Sequence, residues 1–366
     1  MQITAAITHS KGELALETAE VAGPKATEVL VRMVAAGVCH TDAAGIEQFI
    51  PVTLPAIFGH EGVGVVEEVG LAVDDLKPGD KVIMTYPSCG VCDYCRDAHP
   101  FACDQFNFLA FSGTFKDGTK RFSQNGQDIS SFFGQGSFAT HAIVDARNAV
   151  KVEGVTEDQL AYMCSLGCGV QTGAGMVLNV FHPRPATSLA VFGCGGVGMA
   201  AIMAGRIAGC SQIIAVDVNP GRLALALELG ATGTVNPKAV GDVVEAIKDL
   251  SGGGVHYAAE SSGVPQLTLT AVQSLRRLGH ACVVSVTGPG TIELPIEPAL
   301  MNPSCSLTGV TEGGSNPQVF IPQLAEYYKA GLLPIDRLVR FYDFADIKQA
   351  FADSHTGVTI KPVLRF

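Results

Sequence analysis

The sequence predicts an α/β protein of two parts, one a rolled, mostly antiparallel β-rich domain and the other a doubly wound domain on a parallel sheet. Three observations carry this prediction. The chain has 366 residues, too many for one ordinary core and enough for two domains. Through its first third the apolar runs are short and broken by glycine and proline. From Ser188 onward apolar strands alternate with helical segments, the rhythm of a parallel sheet covered on both faces.

In the first part, EVLVRMVAAGV, GVGVVEEVG, DKVIMTYP and SFATHAIVDA read as strands, with Pro51, Pro55, Gly59, Pro78 and Gly79 marking the turns between them. In the second part, SLAVF is a strand, VGMAAIMAGRIAG a helix, QIIAVD a strand and GRLALALELG a helix. GDVVEAIKDLSGG then predicts a helix, YAAESS a strand, PQLTLTAVQSLRRLG a helix and HACVVSV a strand. After residue 313 the alternation stops, leaving a helical FIPQLAEYYKAG and a strand, IKPVLRF. There is no internal repeat and no low-complexity segment.

Hydrophobic residues at 47% and charged residues at 16% describe a chain that folds. A formal charge of −11 argues against nucleic acid or an anionic membrane as the main partner. MQITAAITHSKGELALE lacks the pattern of a signal peptide. No charge-free run approaches the roughly 18 apolar residues of a spanning helix. Six of the eleven cysteines are assigned to metal below. The other five (Cys164, Cys194, Cys210, Cys282 and Cys305) sit in apolar contexts that suit a small buried hydrophobe. A reducing cytoplasm is the expected location.

Cys89, Cys92, Cys95 and Cys103 form the run Cys-x2-Cys-x2-Cys-x7-Cys. Four thiolates at this spacing can close a tetrahedral shell around zinc, with no position left for water or substrate. Such a metal staples a loop, so any catalytic zinc must lie elsewhere.

Val191-Phe192 runs into Gly193-Cys194-Gly195-Gly196-Val197-Gly198, a GxGxxG motif between a strand and a helix. The first glycine permits the tight turn, the second admits a pyrophosphate to the backbone, and the third lets helix and strand pack closely. The helix N-terminus offers N–H groups to phosphate. Asp217 closes the next strand, where a carboxylate accepts from ribose hydroxyls and repels a 2′-phosphate, favouring NAD over NADP. Two readings stand beside this: Arg222 is placed to serve a 2′-phosphate, and Asp217 could instead be the N-cap of the next helix.

The remaining metal candidates are Cys39 in GVCHTD, His60 in GHEG and Cys168 in SLGCGVQTG. Cys2His with one open position is a recognised catalytic zinc set. Spacing cannot show that residues so far apart converge. Taken singly, the cysteines could be buried hydrophobes and His60 a satisfied core histidine.

GVCHTD, GHEGVGVVEEVG, the four-cysteine run, LGCGVQTGAG and VFGCGGVG together resemble the zinc-dependent medium-chain alcohol dehydrogenase family, in the family's order. The resemblance implies a GroES-like catalytic domain from residues 1–169 and 314–366, with a Rossmann NAD-binding domain, 170–313, inserted between. It implies two zinc ions per chain. Cys39, His60 and Cys168 would hold the catalytic one, and Cys89, Cys92, Cys95 and Cys103 the structural one. Asp42 matches the carboxylate that orients the histidine ligand, and Glu61 a glutamate beside the zinc. Thr41 matches the hydroxyl that links the substrate oxygen to the cofactor ribose. His40 and Lys361 match cations at the pyrophosphate, and Thr172 and Val286 further cofactor contacts. The expected assembly is a homodimer or homotetramer, paired near VVSV and TIELP, and the expected partner a small alcohol or aldehyde.

The implied chemistry is hydride transfer from a zinc-activated primary alcohol to the nicotinamide. One departure matters: family members often carry a histidine at the solvent end of the proton relay, where this chain has Ala44. Alanine cannot accept a proton, so oxidation is expected to be slow near neutral pH. Ile50, Thr85, Tyr86 and the phenylalanine-rich loop from Phe106 to Phe115 are expected wall positions, although a phenylalanine cluster most often means core packing, and that reading of the loop stands first. CGVQTGAG, FFGQGSFATHAIV and TEGGSNPQVFIPQL are similar to the bacterial aryl- and allylic-alcohol branch, including benzyl-alcohol and geraniol dehydrogenases, which implies aromatic or terpenoid substrates. The alternatives are a short-chain aliphatic alcohol, a glutathione-dependent formaldehyde activity, and a zinc- and NAD-binding scaffold without turnover. The zinc-free quinone reductase branch shares the fold but lacks the cysteine set.

Overall fold

The computed structural model describes residues 1–284 and 290–366. Val286 and the end of the VVSV stretch lie outside the described residues. The chain divides into two compact units, one of Met1–Cys168, Asn316–Lys329 and Ile335–Phe366, the other of Gly169–Ser315 and Ala330–Pro334.

The first unit contains a closed barrel of five short strands, in the order Gln2–Thr8, Ala15–Val21, Phe122–Gln124, Gln127–Ser131 and Ala56–Ile57. A second sheet runs Ala149–Lys151, Lys81–Met84, Glu61–Val69, Glu28–Gly37, Lys361–Arg365 and Val339–Asp343. His141–Asp145 also pairs with Glu28–Gly37. Most ladders are antiparallel, and the exceptions are Ala56–Ile57 with Gln127–Ser131 and Val339–Asp343 with Lys361–Arg365. Glu28–Gly37 lies at the centre and is buried along nearly its whole length, which is why it reads as a continuous apolar run. The core under the barrel is rich in aromatic side chains, including Phe58, Phe122, Phe132 and Phe138.

The second unit is one parallel sheet. In space its strands run Gly233–Val235, Gln212–Val216, Ser188–Phe192, Val255–Glu260, Leu275–Val283 and Ser306–Gly309. In chain order that is 3-2-1-4-5-6, the Rossmann arrangement, with its switch point beside Ser188–Phe192. The sequence reading overran one helix. PQLTLTAVQSLRRLG is helical only over Pro265–Gln273. The Ser274 hydroxyl turns back onto the Thr270 carbonyl at 2.7 Å, and Leu275 pairs with Val255 in the sheet. Pairing with the sheet here overrides the helical periodicity of the sequence. No single helix among the described residues is long and apolar enough to cross a membrane.

Candidate active site

Two groups of metal-ligating side chains form in the first unit. Cys39, His60, Glu61 and Cys168 bring one ligand atom each to within 4.8 Å of one another, and so do Cys89, Cys92, Cys95 and Cys103.

The first group is assembled by three backbone features. Strand Glu28–Gly37 ends at the turn that leads to Cys39, the N-cap of helix His40–Ile46. Gly37 is needed here, because a Cβ would sit 2.2 Å from Glu61 Oε2. His60 immediately precedes strand Glu61–Val69, which pairs with Glu28–Gly37. Cys168 follows the short helical turn Met163–Gly167.

Asp42, fully buried, holds this arrangement. One carboxylate oxygen accepts from the Cys39 N–H at 3.1 Å, and the other from the Gly59 N–H at 2.9 Å and from His60 Nδ1 at 2.8 Å. That fixes the imidazole ring through Nδ1 and turns Nε2 toward the cluster. Nε2 is buried and makes no hydrogen bond of ordinary geometry. Its neighbours are the sulfurs of Cys39 and Cys168. The Cys39 thiol is held well below its usual range, first by a hydrogen bond from Cys168 and further by His60 and Lys361. An orphaned imidazole nitrogen facing two sulfurs fits a soft divalent metal.

Burial pushes the Glu61 carboxyl up, against the pull of Lys361. Burial would by itself lower Lys361, but Glu61 overturns that and keeps the ammonium charged. Lys361 Nζ donates to both Glu61 oxygens, at 3.0 and 2.9 Å, and to the Val38 carbonyl at 3.2 Å. All three of its protons are thus committed. The structure thus places Lys361, expected at the pyrophosphate, against the glutamate of the metal cluster. Thr41 Oγ1 lies 3.8 Å from Cys39 Sγ, while His40 is exposed at the helix start.

In the four-cysteine loop, backbone N–H groups aim at sulfur: Val91 and Cys92 at Cys89 Sγ (3.4 and 3.3 Å), Cys89 and Gln105 at Cys103 Sγ (3.2 and 3.4 Å). Gly90 has φ +72°, so the loop turns tightly between the first two cysteines. Lys116 and Arg147 donate to the Cys89 carbonyl. Burial opposes ionisation of Cys89, yet the N–H groups of Val91 and Cys92 take it down to about 6. Cys95 is pushed up to about 12, by burial first. The four sulfurs cannot all ionise side by side unless a cation joins them, and this donor set suits zinc.

In the second unit Gly193 has φ +86°, and a Cβ on Gly198 would meet the Gly193 carbonyl at 1.8 Å. A Cβ on Gly195 would meet nothing within 4 Å, so the space in front of helix Gly196–Ile207 is open. Val197 sits in the first turn of that helix, and helix Gly169–Gly175, which carries Thr172, packs against it: a Cβ on Gly173 would touch the Val197 carbonyl at 1.9 Å. Asp217 accepts from the Cys194 N–H at 2.7 Å and the Asn219 N–H at 2.8 Å. The N-cap of helix Pro220–Leu229 is Asn219, which accepts from the N–H groups of Gly221 and Arg222. The capping alternative for Asp217 therefore falls.

Two family models match the chain: an alcohol dehydrogenase GroES-like domain over residues 25–154 and a zinc-binding dehydrogenase domain over residues 196–326. A geraniol dehydrogenase of Castellaniella defragrans is 41% identical over 360 residues, covering 97% of this chain and 95% of its own. The chain belongs to the zinc-dependent medium-chain alcohol dehydrogenases. Among solved structures, a zinc-binding-domain alcohol dehydrogenase of Burkholderia ambifaria superposes with a TM-score of 0.97 at 46% identity, covering 100% of this chain and 99% of its own. The benzyl alcohol dehydrogenase of Acinetobacter calcoaceticus does so at 0.95 and 40%, with the same coverage.

The dehydrogenase departs from the expected pocket walls. Phe106–Phe111 is a helix rather than a loop. Phe106 and Phe111 face inward, but Phe108 is exposed and Phe115 packs under the Arg121 guanidinium, 4.4 Å away. Tyr86 is buried against Phe106, and Ile50 packs on the barrel core. Thr85 is fully buried and its hydroxyl donates to the Gly167 carbonyl at 2.9 Å, so it is no wall. The sequence reading missed Phe132 and Phe133. Phe133 stacks on the His60 ring (centroids 4.6 Å apart, 29° between planes), with Phe132 edge-on to the same ring at 5.7 Å. Phe106 and Phe111 meet Phe133 edge-on at 6.1 and 5.5 Å. Phe133 adopts φ +55°, uncommon for an aromatic residue. The FFGQG run was the available signal.

Proposed function

We propose that the protein is a NAD-dependent alcohol dehydrogenase with two zinc ions per chain, acting on primary aromatic or allylic and terpenoid alcohols. The observation that carries the reading is the pair Phe132 and Phe133 on the His60 ring, backed by Phe106 and Phe111 against Phe133, beside Cys39 and Cys168. Edge and face contacts of this kind favour a flat or unsaturated substrate over a small aliphatic one. The geraniol and benzyl alcohol dehydrogenases among its relatives support the same substrate class.

Cys39, His60 and Cys168 would hold the catalytic zinc, and the four-cysteine loop the structural one. When bound, the catalytic zinc supplies Lewis acidity to the alcohol oxygen, and the nicotinamide accepts the hydride. The chain's own residues do the rest. Asp42 keeps His60 Nδ1 protonated and the ring oriented. Lys361 holds the Glu61 carboxyl by two hydrogen bonds and opposes the effect of its burial. Thr41 Oγ1, 3.8 Å from Cys39 Sγ, would pass the substrate proton toward solvent, with no base at Ala44 to receive it. Gly195 would leave room for the pyrophosphate, with Gly193 and Gly198 shaping the tight turn behind it. The Asp217 carboxylate, pinned by two backbone N–H groups, would accept from the ribose hydroxyls and repel a 2′-phosphate.

The test is cofactor reduction with benzyl alcohol, geraniol and ethanol, each with NAD and NADP, beside metal analysis. Benzyl alcohol or geraniol with NAD should give the highest catalytic efficiency, and the chain should hold two zinc ions. Preference for ethanol overturns the substrate class, preference for NADP the role of Asp217, and one zinc per chain removes a site.

A further inference from the structure

We infer that Gln135 and Thr85 are positioning residues that set the spacing between His60 and Cys168. The inference rests on the reading of Cys39, His60 and Cys168 as ligands of one metal, and adds what holds their backbones in register. The Gln135 side chain is fully buried. Its Nε2 donates to the carbonyl oxygen of His60 at 3.1 Å and to that of Thr85 at 3.2 Å. Both partners only accept, so the amide nitrogen must face them, and this assigns the orientation of the side chain. Thr85 carries the link onward. Its hydroxyl donates to the carbonyl of Gly167, the residue before Cys168.

The path from the His60 carbonyl through Gln135 and Thr85 to the Gly167 carbonyl thus joins the two ligand-bearing segments. The segment Met163–Gly167 belongs to no strand, so no ladder ties it to Glu61–Val69. Gly167 permits the approach, since a Cβ there would lie 2.0 Å from the Met84 carbonyl oxygen, one residue before Thr85. The turn that carries Gln135 also carries Phe133, and the Gln135 N–H bonds to the Phe132 carbonyl at 3.1 Å. One turn therefore holds the His60 backbone by an amide and its imidazole by a stacked ring.

Packing alone does not account for Gln135. Its Oε1 is buried without a hydrogen-bond partner, a penalty that an apolar side chain of the same size would avoid. What the amide supplies is a fixed distance between two carbonyls, and ligands held this way tune a metal site.

The test compares Gln135→Met, Thr85→Val and Thr85→Ser with the parental protein in the zinc and cobalt forms. Measured are zinc release to a chelator, the visible spectrum with cobalt in the catalytic site, and kcat against KM. Gln135→Met and Thr85→Val should release the catalytic zinc about tenfold faster, shift the cobalt bands and lower kcat more than they raise KM. Thr85→Ser, which keeps the hydroxyl, should restore parental values. Parental release rates and spectra in Gln135→Met and Thr85→Val overturn the inference. So does an equal loss of metal from the four-cysteine loop, which would mark general destabilisation. A parental protein that holds no metal at Cys39, His60 and Cys168 overturns the ligand reading itself, and is recognised before any variant is made.

Discussion

The two sulfur clusters of the first unit are built in opposite ways. The four-cysteine loop is local: its ligands follow one another along a short stretch, and its own backbone N–H groups and Gly90 shape it around the sulfurs. The cluster at Cys39, His60 and Cys168 is made by the tertiary fold. Its members come from a helix start, a strand start and the end of a turn, and a buried carboxylate, a buried amide and a buried lysine hold them. The local cluster closes on itself with four equivalent donors. The assembled one has unequal donors, an orphaned imidazole nitrogen and aromatic rings on one side. A closed set stiffens a loop, and an open set does chemistry.

Substitutions can break this contrast, the largest effect first. Cys168→Ala should bring turnover to background and halve the zinc content while the four-cysteine loop keeps its metal. Loss of both ions would show the clusters to be one cooperative unit. Asp42→Asn keeps the shape but removes the charge that orients His60, and kcat/KM should fall about 10- to 100-fold. An unchanged value would assign Asp42 to packing. Cys103→Ser should act on stability instead, lowering Tm by about 2–4 °C for each kcal/mol lost, with activity of the surviving folded protein near parental. Turnover abolished at an unchanged Tm would make the loop catalytic.

Smaller effects probe the open side. Phe133→Ala should cut the preference for benzyl alcohol over ethanol roughly 3- to 10-fold, the worth of one aromatic contact, and equal loss on both substrates would count against a specificity role. Ala44→His should raise alcohol oxidation near pH 7 by a few-fold, because an imidazole titrates there. A pH–rate profile superposable on the parental one would show that proton release does not limit the reaction.

What could be read from the sequence follows the same divide between local and assembled. The strand–helix alternation, the glycine loop and the four-cysteine run are set by neighbours in the chain, and their motifs are short. The strand at Leu275 was read as helix because Pro265 to Gly279 has helical periodicity, and only pairing with Val255 overrules it. Cys39, His60 and Cys168 had no spacing to announce them, and resemblance alone brought them forward. The contact of Lys361 with Glu61 could not be read at all, because a partner 300 residues away leaves no trace in local pattern. Phe115 and Phe108 counted as site residues for their type, yet one lies under Arg121 and the other in solvent. Phe133 and Gln135 were passed over because their importance lies in where a tight turn aims them.

The Lys361–Glu61 contact also bears on the order in which the molecule becomes competent. Glu61 is fully buried, and its carboxylate is balanced by an ammonium that the ribosome adds 300 residues later. Until Lys361 has been made, the barrel, both cysteine clusters and the glycine loop already exist as sequence, but the Glu61 carboxyl has no cation to hold it against the cost of burial. A nascent chain with every metal ligand in hand is therefore still an unfinished site, and the strand Lys361–Arg365 works as the closing stitch.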